Sequence, residues 1–136
     1  MIRILPLRRD ERGAAAVEFA MIIPVFFMLI VGTAQIGTFL YAHAAVRNAV
    51  SEGARYATIF PRPTAQQVID TVKANRANLP AAQFTEPVVA YSQVGNTWVA
   101  DISMSYSLKL NFIFFTTPAM TLNYSRRAYV FAPPTT

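Results

Sequence analysis

The chain has 136 residues, 54% of them hydrophobic and only 14% charged, with a net charge of +5 and no cysteine. That length holds one small domain beside a membrane segment, and the lack of cysteine excludes disulfides, thiolate metal sites and thiol catalysis. The positive charge is dispersed: the first thirteen residues carry +2, the rest +3, and Arg126-Arg127 is the only basic doublet after the head. Nucleic acid is therefore not an expected partner.

Arg3, Arg8, Arg9 and Arg12 precede an uninterrupted run, Phe19 to Val46, that contains no Asp, Glu, Lys or Arg. About twenty apolar residues cross the ~30 Å hydrocarbon core of a bilayer, and no second run of this kind follows. A single-pass span over about 19–42 is expected. The arginines before it, against the mixed Arg47, Glu52 and Arg55 after it, place the N-terminus in the cytoplasm and the remainder outside. Ala42-His43-Ala44 fits a small-x-small secretory cleavage pattern, but the run before it is much longer than the ~7–15 residues of a signal h-region. Pro24 removes one backbone donor inside the run and predicts a local kink.

Helix-forming residues continue past the bilayer, with no proline between Pro24 and Pro61. A helix from about Ala14 to Ile59 is roughly 70 Å long at ~1.5 Å per residue, so its second half projects beyond the lipid. Ala45, Ala49, Gly53 and Ala57 recur every fourth residue on one face, a spacing that permits close backbone approach. The stripe packs either beneath the protein's own sheet or against helices of other subunits.

Pro61 to Pro63 ends that helix. Thr64 caps a second one, with Gln67 as capping-box partner. Val68, Ile69, Val72 and Leu79 form its apolar side, and Pro80 ends it. The period then changes to two. Trp98, Ala100, Ile102, Met104, Tyr106, Leu108 and Leu110 alternate with Asp101, Ser103, Ser105, Ser107 and Lys109, as in a half-buried strand. Gly95-Asn96 marks a hairpin turn after a strand at Pro87 to Val94. A third strand, Thr121 to Phe131, puts Leu122, Tyr124, Ala128 and Val130 on one face. The expected fold class is α+β: a long N-terminal helix, one short helix, and a three-stranded antiparallel meander packed on the long helix. Between the second and third strands lies Phe112-Ile113-Phe114-Phe115. It is either a plug at one end of the sheet or a docking patch for a partner subunit or the outer leaflet.

Glu18 is the one carboxylate at the mouth of the apolar run. Such a charge is costly unless paired or interfacial, although the positive end of a helix dipole favours it. If the chain is cut after Gly13, Ala14 gains an α-amine one helical turn from Glu18. In a packed array, Glu18 of one subunit can then neutralise the Ala14 amine of its neighbour and set the register between them.

The stretch from Arg8 through Gly13, Glu18 and Phe19 to Pro24 resembles the N-terminus of TadE-like proteins, minor pilins or pseudopilins of tight-adherence (Flp-type) pilus systems. Arg47 to Ala57 is similar to the family's post-membrane helix. The resemblance covers about residues 8–58 and implies a pilin-like fold. It also implies cleavage between Gly13 and Ala14 by a prepilin peptidase, so that residues 1–13 are a basic cytoplasmic leader, 14–60 the long helix and 61–136 the exterior domain. The implied location is the inner membrane, with the C-terminal part periplasmic or extracellular. The implied partners are the peptidase, the major Flp-type pilin, other minor pilins, the inner-membrane assembly platform and the lipid bilayer.

No catalytic constellation accompanies these features. His43 is the only histidine, and Asp70, Glu86 and Asp101 fall on different elements with no spacing that suggests a dyad. The five glycines are dispersed, so no phosphate-binding loop is formed. The expected protein is a non-enzymatic pilus-assembly component without cofactor or metal. The alternative is a static single-pass anchor that keeps its leader.

Overall fold

The computed structural model describes residues 11–131. Most of the expected leader, residues 1–10, lies outside the described residues. A single helix, α1, runs Glu11–Ala57 and passes through Pro24 without interruption. Its 47 residues correspond to roughly 70 Å. Next come α2 (Ala65–Ala74), a short 3-10 turn (Ala81–Gln83), β1 (Val88–Val94), β2 (Thr97–Leu108) and β3 (Met120–Val130). The three strands form one antiparallel sheet in the order β1-β2-β3.

The local chemistry explains these boundaries. The Thr64 hydroxyl accepts from the Gln67 backbone N–H, and the Gln67 side chain accepts from the Thr64 N–H. Two otherwise orphaned donors of α2 are thereby satisfied. Its C-terminus differs from expectation: α2 stops at Ala74, six residues before Pro80. The Asn75 backbone and side-chain amides both donate to the Thr71 carbonyl, and Ala77 then adopts φ 58°. This left-handed residue closes the helix before proline can. Leu79 consequently lies outside the helix, packed at the edge of the core. The β1–β2 turn is the two-residue Gly95-Asn96, with Val94 paired to Thr97. Gly95 has φ +63°, a conformation glycine adopts without steric cost.

The period-two pattern of β2 resolves as read from Ala100 to Leu108, whereas Val99 on the opposite face is also fully buried and Leu110 lies beyond the strand. Ala100, Ile102, Met104, Tyr106 and Leu108 are buried, while Asp101, Ser103, Ser105 and Ser107 are half-exposed. The buried side faces α1, whose upper half supplies Ala42, Val46, Ala49, Val50, Ala54 and Ala57 to the same core. Val68 and Val72 of α2, and Ala128 and Val130 of β3, complete it. β2 runs antiparallel to α1: Ile102 lies near Gly53, and Asn111, just beyond the strand, meets Gln35. Nine residues of strand rise about 30 Å and eighteen of helix about 27 Å, so the two descend in step. The sheet domain is thus fastened along α1 from Ala57 down to about Gly32.

Candidate functional site

The part of α1 below this domain has no internal partner. Every residue from Gly13 to Ile30 is exposed, including Phe19, Met21, Ile22, Phe26, Phe27 and Leu29. An apolar helix exposed on all sides is the form that requires lipid or neighbouring helices. Among the described residues this is the one helix long and apolar enough to cross a membrane. Gly13 and Ala14 lie in the first turns of α1 and are exposed, and Gly13 has open space around it. Glu18 is exposed one turn further on. Pro24 is likewise on the bare stretch.

The hydroxyls of Thr33 and Thr38 donate to the carbonyls of Leu29 and Ala34, four residues earlier. These bonds make both residues compatible with an apolar setting. The Gln35 amide, the one amide in the uncharged run, donates to the Asn111 carbonyl at 2.8 Å. The upper end of the apolar run is therefore already occupied by protein: Phe39 packs against the core, and Ala42 is fully buried in it.

The small-residue stripe lies beneath the protein's own domain. Ala45, Ala49, Gly53 and Ala57 are all buried. A Cβ on Gly53 would overlap Val72 of α2, and Ile102 and Val68 methyls would lie at 3.7 Å. The close approach permitted by this spacing is that of α2 and the sheet. The Phe112–Phe115 segment is not buried as a unit. Phe112 packs against the core and stacks on Phe115 at a ring separation of 4.7 Å, whereas Ile113, Phe114 and Phe115 remain exposed.

Several charged groups of the domain pair with neighbouring side chains. Asp101 and Arg127, opposite each other on β2 and β3, form a two-pronged pair with both N–O distances 2.8 Å. The hydrogen bond from Arg127 holds the Asp101 carboxyl below its ordinary value, partial burial opposes this, and the guanidinium charge adds to it. Glu86 pairs with Lys73, Asp70 accepts from Gln66, and His43 is exposed on α1. Tyr106 donates to Gln83, and burial raises its phenol pKa. Among the described residues no group of three or more His, Asp or Glu side chains gathers as for a metal.

Two contacts had little signature in the sequence. One is the Gln35–Asn111 bond, for which the lone amide in an apolar run was the only hint. The other is the bond from Arg126 to the Ser51 hydroxyl, which ties β3 to α1. Neither the curated proteins nor the solved structures contain a match to this chain. Residues 13–55, which comprise the bare apolar stretch, Glu18 and the helix face beneath the sheet, match the family model of TadE-like proteins.

Proposed function

We propose that this protein is a minor pilin or pseudopilin of a Tad (Flp-type) pilus system. It is processed between Gly13 and Ala14 and functions in pilus assembly, and thereby in surface attachment. The TadE-like segment associates the chain with Tad pili. The observation that carries the finer reading is the division of α1. Its TadE-like segment begins at the expected cleavage site, runs bare past Glu18 to Ile30, and only then meets its own domain. Such a helix supports a subunit that is held in a bilayer before assembly and packed among other helices afterwards.

Residues 18–35, from Glu18 to the Gln35–Asn111 contact, extend about 26 Å, close to the ~30 Å hydrocarbon thickness. The bilayer is accordingly assigned to this stretch, which ends lower on the helix than 19–42, with the N-terminus cytoplasmic and the sheet domain outside. The prepilin peptidase, the major pilin, other minor pilins and the assembly platform are the proposed partners. Cleavage after Gly13 would free the Ala14 amine one turn from Glu18, so that a neighbouring subunit's Glu18 can pair with it.

N-terminal sequencing and intact mass of the protein purified from membranes test the reading. A mature chain starting at Ala14 is expected. A chain that retains its leader in cells with active prepilin peptidase would instead identify a static anchor.

A further inference from the structure

The loop between β2 and β3 reaches α1 at the upper end of its bare stretch. The Asn111 carbonyl accepts from the Gln35 amide at 2.8 Å, and the Phe112 ring lies 3.8 Å from where a Cβ on Gly32 would stand. Gln35 is seventeen residues above Glu18, about 26 Å along a helix. With Glu18 at one interface, this contact falls at the opposite edge of a hydrocarbon core ~30 Å thick.

At that height the loop presents apolar side chains outward. Ile113, Phe114 and Phe115 are 48%, 65% and 55% exposed, and on α1 just below Gly32 so are Leu29 and Ile30, at 66% and 50%. No charged residue occurs between Lys109 and Arg126. Lys109 is exposed at the loop's upper margin, where an ammonium can reach lipid phosphates while its stem follows apolar surface.

Internal hydrogen bonds close the base of the loop, which reduces the number of backbone groups it would bring to the lipid interface. The Phe112 N–H donates to the Phe115 carbonyl at 2.8 Å, and the Thr117 N–H to the Leu110 carbonyl at 2.9 Å. The Leu110 N–H donates to the Thr117 hydroxyl at 3.0 Å. Leaving these three large apolar side chains in water, at the end of the domain next to the bare apolar stretch of α1, would be unfavourable.

We propose that the Phe112–Phe115 loop inserts into the domain-side leaflet of the bilayer that α1 crosses. It forms a second membrane contact that fixes the height and the rotation of the sheet domain on the membrane. The proposal rests on the membrane-span reading of α1, and its occupant is the lipid surface continuous with that helix. A single helix leaves its domain free to turn about the helix axis. A helix plus an inserted loop does not, so the contact would orient the domain for docking to neighbouring subunits.

The absence of native cysteine permits a background-free test. Phe114→Cys and Ile113→Cys are spin-labelled in the full chain reconstituted in phosphatidylglycerol/phosphatidylcholine nanodiscs, beside Phe26→Cys on the bare helix and Val94→Cys at the β1–β2 turn. Collision rates with oxygen, which concentrates in lipid, and with a water-soluble nickel chelate are then measured. At 113 and 114 the oxygen-to-nickel ratio is expected to be several-fold above that at 94 and to approach that at 26. A nickel-accessible label at 114 with a lipid-buried label at 26 overturns the loop proposal and leaves the membrane helix intact. Protection from both reagents at 114 also overturns it, because a second copy then covers the loop. A nickel-accessible label at 26 overturns the membrane reading and the loop proposal together.

Discussion

Val72 of α2 occupies the space that a side chain on Gly53 of α1 would fill. Its Cγ2 lies closer to the ideal Cβ position of Gly53 than any real Cβ contact allows, with Val68 and Ile102 methyls at 3.7 Å. Both valines are fully buried, so neither can swing aside into solvent. The crossing of the two helices is therefore set at residue 53, not along the stripe as a whole.

Gly53→Ala should destabilise the domain by about 1–3 kcal/mol, the usual cost of overpacking a filled core, although alanine favours helix by about 1 kcal/mol. Gly37→Ala, where nothing lies within 4 Å of the new methyl, should be neutral or stabilising. Urea unfolding of the full chain in detergent, followed by the Trp98 fluorescence, checks both. Equal midpoints for the two variants would contradict the close approach.

Ala77 carries a left-handed backbone at φ 58°. For a residue with a Cβ this conformation costs about 1–2 kcal/mol, partly offset by the lower chain entropy of alanine relative to glycine. Ala77→Gly should raise stability by about 0.5–1 kcal/mol, the remainder of that difference. A higher unfolding midpoint with an unchanged denaturant slope is the expected result.

The Asp101 carboxyl is held low in the folded state by the hydrogen bond from Arg127. A group whose pKa is depressed by folding stabilises fully above its unfolded value, about 3.9 for aspartate, and loses that contribution as pH falls through the lower folded value. Asp101→Asn should therefore lose little stability relative to the parent at pH 2 and more at pH 6. The difference should be small and should shrink with added salt, because the pair is open to solvent. Thermal unfolding of both proteins across this range, at two salt concentrations, measures it.

Gly13 and Glu18 should separate when mutated. Gly13→Ala is expected to block leader removal, since it adds a methyl at the scissile residue and strengthens the helix there by about 1 kcal/mol. Glu18→Ala should still be cleaved but should assemble poorly, because the Ala14 amine of a neighbour then lacks its counter-charge. Immunoblots for precursor and mature forms, with counts of surface pili, distinguish these outcomes. Normal piliation of Glu18→Ala would remove the charge-pairing argument.

Local signals carried most of the element list. The Thr64–Gln67 capping box, the Gly95-Asn96 turn, the alternation from Trp98 to Leu110 and the uninterrupted helix formers before Pro61 each depend on residues a few positions apart. Each appears in the structure within one to three residues of its expected limits. The end of α2 was less legible: Pro80 was the visible stop, whereas the Asn75 cap and the Ala77 conformation stop the helix earlier. A proline disfavours continuing a helix through its position but does not force a helix to reach it.

What the sequence by itself determined is the set of elements, their polar and apolar faces, and the TadE-like helix with Gly13 and Glu18 at its entrance. Hydrogen-bond periodicity and side-chain patterning are encoded along the chain. Only the tertiary structure decided which surface each apolar face meets. It placed Ala45, Ala49, Gly53 and Ala57 under the protein's own α2 and sheet, and it brought Asn111 to Gln35, 76 positions away. It thereby divided the apolar run into a bare lower part and a covered upper part. Either partner could have buried the same small-residue face at similar local cost. The antiparallel descent of β2 along α1 selected one of them, and with it the height at which the Phe112–Phe115 loop meets the helix.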